Sequence, residues 1–266
     1  MSALAGKAAL ITGASRGTGE AMALAFAKAG ADVAIAARSA DDLERVAAAV
    51  RATGRRVEAI VADMMEAADV EAMVATAARA LGRLDILVNN AGGAGAYVEG
   101  GSAGLLDTGT EAWDALFALN LRGPVIAARE AARLMRDRGE GGAIINIGSI
   151  HGQFTRWSYH GYSAAKAALS ELTAMWAVEL GRYGIRVNAI APGIIAAGRN
   201  GGRLLTSAEA RAEREALVPL GRLGTPEDIA RIALFLASDE SGYVSGATIA
   251  AGGGWRGDMA PAPRIA

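Results

Sequence analysis

The chain has no cysteine and only two histidines, His151 and His160, among its 266 residues. The first absence excludes disulfides, thiol catalysis and cysteine-based zinc sites, and it leaves the redox compartment open. The second argues against a histidine-rich metal site. A charge excess is missing too. With 27 Lys and Arg against 28 Asp and Glu, the formal net charge is −1, so no general basic field points to nucleic acid. No apolar run approaches bilayer-spanning length, and the opening MSALAGKAALITG lacks the basic segment and long apolar run of a leader. These absences predict a soluble, cytoplasmic protein with no membrane or nucleic-acid partner. Apolar residues are plentiful by contrast: a 52% hydrophobic composition supplies a core and fits poorly with disorder. No repeat, linker or second core interrupts the chain, so one domain spanning 1–266 is expected.

Short apolar runs alternate with amphipathic ones. Lys7 to Thr12 reads as a buried strand; after a glycine-containing turn, EAMALAFAKAG reads as a helix closed by Gly30. Asp32 to Arg38 is the second strand, Ser39 to Thr53 a helix, Arg56 to Asp63 the third strand, Ala67 to Leu81 a helix and Leu84 to Val88 the fourth strand. Residues 93 to 109 are Gly- and Ala-rich and read as a loop. A long helix runs from Thr110 to about Arg138, interrupted near Gly123-Pro124. Ala143 to Ile147, Ile185 to Ile190 and Thr248 to Ala250 complete the strands, with helices opening at Tyr162 and Thr225 between them. The stretch 194–220 is polar, with a helix at Ser207 to Leu217; it is either a lid over a site or a solvated connection. Six or seven apolar strands alternating with helices predict an α/β fold. Its sheet is doubly wound and mainly parallel, Rossmann-like, with helices on both faces and ligand at the strands' C-terminal ends.

The chemistry-bearing residues fall just after those strands. Thr12 to Gly19, T-G-A-S-R-G-T-G, lies between strand and helix, where glycines let the backbone approach a phosphate and the helix N-terminus offers N–H groups. The spacing Gly13, Gly17, Gly19 is not the commonest G-x-G-x-x-G, and a plain turn is the alternative. The second strand ends Ala37-Arg38-Ser39, without the carboxylate that bonds a ribose 2′-hydroxyl. Arg38, with Arg16 in the glycine loop, favours the 2′-phosphate of NADP over NAD. Asp63 ends the third strand and either faces the ligand edge, caps the next helix, or does both. Asn120 precedes the helix irregularity, where a freed backbone carbonyl or a water can be held; its alternative is an ordinary polar residue.

One stretch makes a specific chemical proposal. Ser149 follows the fifth strand, and Tyr162 and Lys166 open the Ala-rich run YSAAKAALSELTAMWAVELG. On a helix, Tyr162 and Lys166 are at i and i+4 on one face, so the ammonium can act on the phenol. A nearby cation stabilises phenolate and lowers a tyrosine pKa from about 10 toward working pH. Such a phenol gives a proton to a carbonyl oxygen or takes one from an alcohol. Ser149 can hold the same oxygen by hydrogen bond.

Together these residues resemble the short-chain dehydrogenase/reductase family over nearly the whole chain. The motifs are the T-G-x-x-x-G-x-G loop (Thr12, Gly13, Gly17, Gly19), Asn89-Asn90-Ala91-Gly92, Asn120, Ser149, Tyr162-x-x-x-Lys166 and Pro192-Gly193. By that resemblance Tyr162 is the catalytic acid/base and Lys166 lowers its pKa while holding the nicotinamide ribose. Ser149 orients the substrate oxygen, and Asn120 orders a water in the proton relay. The implied cofactor is NADP(H), with no metal. Its binding residues are Gly13, Ser15, Arg16, Thr18 and Gly19, then Arg38, Ser39, Asp63 and Met64. Asn90, Ala91 and Gly92 follow, with Tyr162, Lys166, Pro192, Gly193 and Ile195 toward the nicotinamide. Two positions depart from the family pattern. Ala197 replaces a threonine that bonds the carboxamide, and Ala250-Ala251-Gly252-Gly253 replaces V-D-G-G at a place expected to be remote from the chemistry. Members often pair through the helices carrying Asn120 and Tyr162, which implies a homo-oligomer, dimer or tetramer.

The expected function is reversible reduction of a ketone or aldehyde by NADP(H). Substrate identity is expected to lie in residues 94–106, 151–160 and 194–220, with His151, Gln153, Trp157 and Tyr159 in the pocket. Their character suggests a polar or aromatic carbonyl; Arg156 either meets a carboxylate or is solvated. One alternative is a 3-oxoacyl-thioester reductase acting on an acyl-carrier protein. Another is a non-catalytic NADP-binding regulator, against which an intact Ser149, Tyr162 and Lys166 argue. A methyltransferase-like Rossmann protein is disfavoured by Arg16 with Arg38. Fold alone would not separate these; the site does.

Overall fold

The apolar runs form β1 (Ala8–Thr12), β2 (Asp32–Ala37), β3 (Val57–Val61), β4 (Ile86–Asn89), β5 (Gly142–Ile147), β6 (Ile185–Pro192) and β7 (Thr248–Ala251). In the computed structural model, which describes residues 2–94, 98–154, 158–197 and 207–256, they build a seven-stranded parallel sheet in the order β3-β2-β1-β4-β5-β6-β7. Among the described residues the α-helices are α1 (Gly17–Lys28), α2 (Ala40–Arg51), α3 (Ala67–Leu81), α4 (Thr110–Phe117), α5 (Gly123–Arg138), α6 (His160–Leu180), α7 (Ala208–Ala216) and α8 (Pro226–Ala237). Strand side chains alternate between two cores, as a period of two requires. Ala9 and Ile11 of β1 pack with Phe26 of α1, Val46 of α2 and Ala233 of α8; Ala8 and Leu10 pack with Met73 of α3 and Met135 of α5. Both faces are therefore covered, which is what continuously apolar strands need.

The order reverses between β1 and β4, so the loops after these strands diverge and leave a crevice at their C-terminal ends. The expected boundaries differ from the observed ones by three residues at most, with one informative exception. The interruption expected at Gly123-Pro124 is a π-helical turn, Ala118–Arg122, lying just before it. Local chemistry sets the other ends. Thr225 and Asp228 form a reciprocal capping box at α8, with Pro226 in the first turn.

The opposite, N-terminal edge of the sheet is closed by charge. Asp85 is buried just before β4 and accepts the Ala8 N–H at 2.8 Å. It also takes both arms of Arg83 at 2.7 Å, and Arg138 approaches at 2.9 Å. Burial alone would push this carboxyl up, but the Arg83 bonds, the Ala8 N–H and the Arg138 charge outweigh it and hold the pKa below the ordinary value. Asp85→Asn strips that arrangement and is expected to cost about 3 kcal/mol in urea unfolding, with an unchanged m-value. A depressed carboxylate stabilises above its unfolded pKa, so the loss should hold from pH 7 to about 4 and shrink at lower pH. A variant as stable as wild type at pH 7 would contradict this role.

Candidate active site

A cleft of about 540 Å³ opens along the C-terminal ends of the strands, a size typical of ligand sites. It brings together all the residues expected to bind cofactor. Gly13, Ser15, Arg16, Thr18 and Gly19 line it after β1, and Arg38 and Ser39 after β2. Asp63 and Met64 line it after β3, and Asn90, Ala91 and Gly92 after β4. At the far end stand Ser149, Tyr162, Lys166, Pro192, Gly193 and Ile195.

The glycine loop is held from behind. Thr12 Oγ1 accepts the N–H groups of Asn90 and Ala91 at 3.0 Å, and the Asn90 side-chain amide donates to the carbonyls of Thr12 at 2.8 Å and Gly13 at 3.1 Å. The Asn90 amide thus ties β4 to the loop. Arg45, which sequence reasoning missed, adds a bond to the Ser15 carbonyl at 2.9 Å while gripping Glu20 at 2.6 and 2.8 Å. At the start of α1, Arg16 makes no side-chain cap, and Gly17, Thr18 and Gly19 of the first turn line the cleft. Uncapped N–H groups at a positive dipole end suit a phosphate. Arg38 lies beside Asp63 at 3.7 Å with its side chain 57% exposed, and Asp63 also accepts the Met65 N–H at 2.9 Å. Asp63 therefore both faces the cleft and shapes the turn into α3.

At the other end, Lys166 is buried and donates to the Ile147 carbonyl at 2.8 Å; its ammonium lies 5.9 Å from the centroid of the Tyr162 ring. Burial depresses the Lys166 pKa to about 8. The absence of a side chain at Gly92 matters: a Cβ there would come within 2.8 Å of Asn120 Oδ1 and 3.0 Å of Lys166 Nζ, so one of them would have to shift. Asn120 is fully buried and does not line the cleft. Its side chain clamps Gly93, accepting the N–H and donating to the carbonyl at 2.9 Å, and donates to the Leu116 carbonyl at 3.0 Å. Pro124 has no N–H for the carbonyl four residues earlier, which is that of Asn120. Ser149 Oγ accepts the His151 N–H at 3.1 Å, leaving its own O–H to donate into the cleft it lines.

The substrate side differs in part from expectation. His151 and Tyr159 line the cleft, with their rings stacked at 5.8 Å. Tyr159 holds a left-handed backbone conformation (φ 63°) at the start of α6, unusual for a residue with a side chain. Gln153 is exposed and does not line the cleft: the short helical turn 150–152 points it outward. Trp157, together with Arg156, lies outside the described residues. Arg214 of α7 also lines the cleft, within the 194–220 stretch expected to shape the substrate site but not singled out there, and so does Trp255 near the C-terminus, which sequence reasoning missed. Trp255 is buried and meets the His151 ring edge-on at 5.7 Å. The segment expected to be remote from the chemistry is therefore against it. Gly252 lies so close to Gly193 that a Cβ on Gly193 would be 2.7 Å from Gly252 Cα. The polar stretch after β6 returns to the site as well, since Val218 and Leu223 pack with Ile150 and Trp255.

Comparison with known proteins gives a consistent family. A family model described as enoyl-(acyl carrier protein) reductase matches residues 13–256. An uncharacterized oxidoreductase of Mycobacterium tuberculosis is 40% identical over 256 residues, covering 93% of this chain and 91% of that one. A 2-(S)-hydroxypropyl-CoM dehydrogenase of Xanthobacter autotrophicus is 38% identical, covering 92% and 94%. Among solved structures, a short-chain type dehydrogenase/reductase from Mycobacterium marinum superposes with a TM-score of 0.85 at 38% identity, covering 95% and 96%.

The buried ammonium has a measurable signature. Its folded pKa of about 8 lies below the unfolded value of about 10.4, so between these pH values the unfolded chain binds more protons and stability rises with pH. In the absence of nucleotide, wild type should gain about 3 kcal/mol on Lys166→Met across that window. A stability difference that stays flat from pH 7 to 10 would show that Lys166 does not carry the burial cost.

Proposed function

The chain belongs to the short-chain dehydrogenase/reductase family of oxidoreductases, which use nicotinamide cofactors, and from that membership we propose that it interconverts a ketone or aldehyde and its alcohol with NADP(H). The observation that carries the reading is the arrangement of one cleft. Ser149, Tyr162 and Lys166 stand at one end, and an uncapped helix N-terminus with Arg16 and Arg38 at the other. Two cations with no carboxylate after β2 suit a 2′-phosphate. The relative named as a hydroxypropyl-CoM dehydrogenase acts on an alcohol, which agrees with a carbonyl–alcohol couple here.

When bound, the nicotinamide supplies or takes the hydride at the carbonyl carbon. This chain's residues manage the oxygen. The Ser149 hydroxyl donates to the substrate oxygen and fixes its position. In reduction the Tyr162 phenol gives that oxygen its proton; in oxidation the phenolate takes one from the alcohol. The Lys166 ammonium, anchored on Ile147, favours the phenolate by its charge and is assigned to the nicotinamide ribose. With its side chain committed to Gly93 and Leu116, Asn120 is assigned its relay water through the main-chain carbonyl opposite Pro124. The binding and catalytic roles are assigned to one domain spanning 1–266, working in the cytoplasm.

Two experiments test these assignments. NADPH absorbance followed with ketones, aldehydes and 3-oxoacyl thioesters should show turnover that prefers NADPH to NADH. Tyr162→Phe should lose about a thousandfold in kcat while still binding NADPH. Retained turnover in that variant would remove Tyr162 from the chemistry, and failure to bind either nucleotide would sink the whole reading. A homo-oligomer is assigned to the outer faces of α5 and α6, where Leu134 is 39%, Met175 56% and Val178 86% exposed. Light scattering should find wild type larger than a monomer and Val178→Glu dissociated; a monomeric wild type would refute the assignment.

A further inference from the structure

Helix α7 carries a cation that the cofactor assignment does not use. Arg214 lines the cleft, and among the described residues its guanidinium has no ion-pair or hydrogen-bond partner. Of the acidic residues flanking it, Glu215 is taken by Arg211 at 2.9 Å, and Glu213 is exposed. The last turn of the helix runs on through the N–H bonds of Leu217 to Arg214 and Val218 to Glu215. These i→i−3 bonds wind a tight turn past the helix end at Ala216, which keeps Val218 near Arg214. Val218 packs with Ile150 and Trp255, and Ile150 stands between Ser149 and His151. Arg214 thus belongs to the Ser149 end of the cleft, while Arg16 and Arg38 follow β1 and β2 at the other. The cleft at this end is also lined by His151, Tyr159, Ile195 and Trp255, with the Lys166 ammonium beside Tyr162. The one carboxylate among the described cleft-lining residues, Asp63, is at the far end beside Arg38.

An unopposed guanidinium facing a partly apolar cleft favours a planar anion, which its fork can bond twice. We infer that Arg214 reads a carboxylate on the substrate, so that the preferred carbonyl compound is an oxo acid and the alcohol a hydroxy acid. This rests on the reductase reading above and narrows it to a substrate class. The carbonyl sits at Ser149 and Tyr162, the carboxylate at Arg214, and the carbon chain between them lies along the His151 and Trp255 rings.

The test pairs straight-chain oxo acids of graded length with their methyl esters, at saturating NADPH, in wild type, Arg214→Ala and Arg214→Lys. Wild type should prefer the acids. Arg214→Ala should lower kcat/KM for the best acid roughly thirtyfold, mainly through KM, with the ester and the NADPH affinity unchanged; Arg214→Lys should keep part of the preference. Equal losses on acid and ester, a loss of NADPH affinity instead, or no acid preference in wild type would each overturn the inference. If NADPH binds but wild type reduces neither acid nor ester, the reductase reading fails on its own. Calorimetry with saturated carboxylic acids of the same lengths then decides the anion site: binding that needs Arg214 supports it, and no binding overturns it.

Discussion

A buried ammonium requires neighbours that stay still, and Lys166 imposes that requirement on four elements at once. Its charge is held on the last carbonyl of β5, against Gly92 after β4, beside the π-helical turn that carries Asn120, and on α6 itself. The fold meets the demand with a chain of buried amides beneath the site. Asn89 donates to Asn146 at 2.9 Å and to the Pro124 carbonyl at 3.2 Å; Asn146 donates to Thr173 at 2.9 Å, and Thr173 to the Leu169 carbonyl at 2.8 Å. β4, β5, α5 and α6 are pinned to one another by side chains that water does not reach. A low local dielectric makes each of these bonds stronger and each loss more costly. Desolvation thus depresses the Lys166 pKa, and the same packing fixes its ammonium 5.9 Å from the centroid of the Tyr162 ring.

Features with a local cause were legible in the sequence. The strands announce themselves as apolar runs because both sheet faces are covered. Tyr162 and Lys166 meet because a helix puts i and i+4 together. The helix irregularity at Asn120 could be expected because Pro124 removes a donor wherever it sits, although the break appears one turn earlier than the proline, as a π turn. The glycine loop, Arg38, Asp63 and Asn90 were placed on one edge by strand ends alone, and they do line one cleft.

What the sequence concealed depends on contacts between distant segments. Trp255 stands in a tail with no periodicity, and only its burial against His151 and the packing around Ile150 give it a place in the site. Arg214 reads as one more charge on an Arg/Glu-rich helix until the cleft is seen to include it. Gln153 illustrates the reverse error. The polar and aromatic character of 151–160 suggested the pocket, but after the 3-10 turn at 150–152 Gln153 is exposed to solvent. Asn90 is a subtler case: nearness to the ligand edge was right, yet its amide is spent on the backbone of the glycine loop.

The arginines around that loop show why charge at a site does not by itself mean ligand binding. Arg45 touches the loop directly through the Ser15 carbonyl, but Glu20 holds it in a two-armed pair at 2.6 and 2.8 Å, so its charge is already answered. Arg38 has a carboxylate nearby as well, yet Asp63 stands 3.7 Å away, beyond good hydrogen-bond range, and over half of the Arg38 side chain is exposed. Such a long, solvated pair is worth little. A phosphate carrying nearly two charges and three acceptor oxygens would draw the guanidinium away from Asp63 at small cost, whereas drawing Arg45 away would break a pair that also braces the loop. The proposed preference for NADP therefore stands on Arg38 and Arg16, the cations left uncommitted, and Arg45 keeps the loop in the shape that lets them be used.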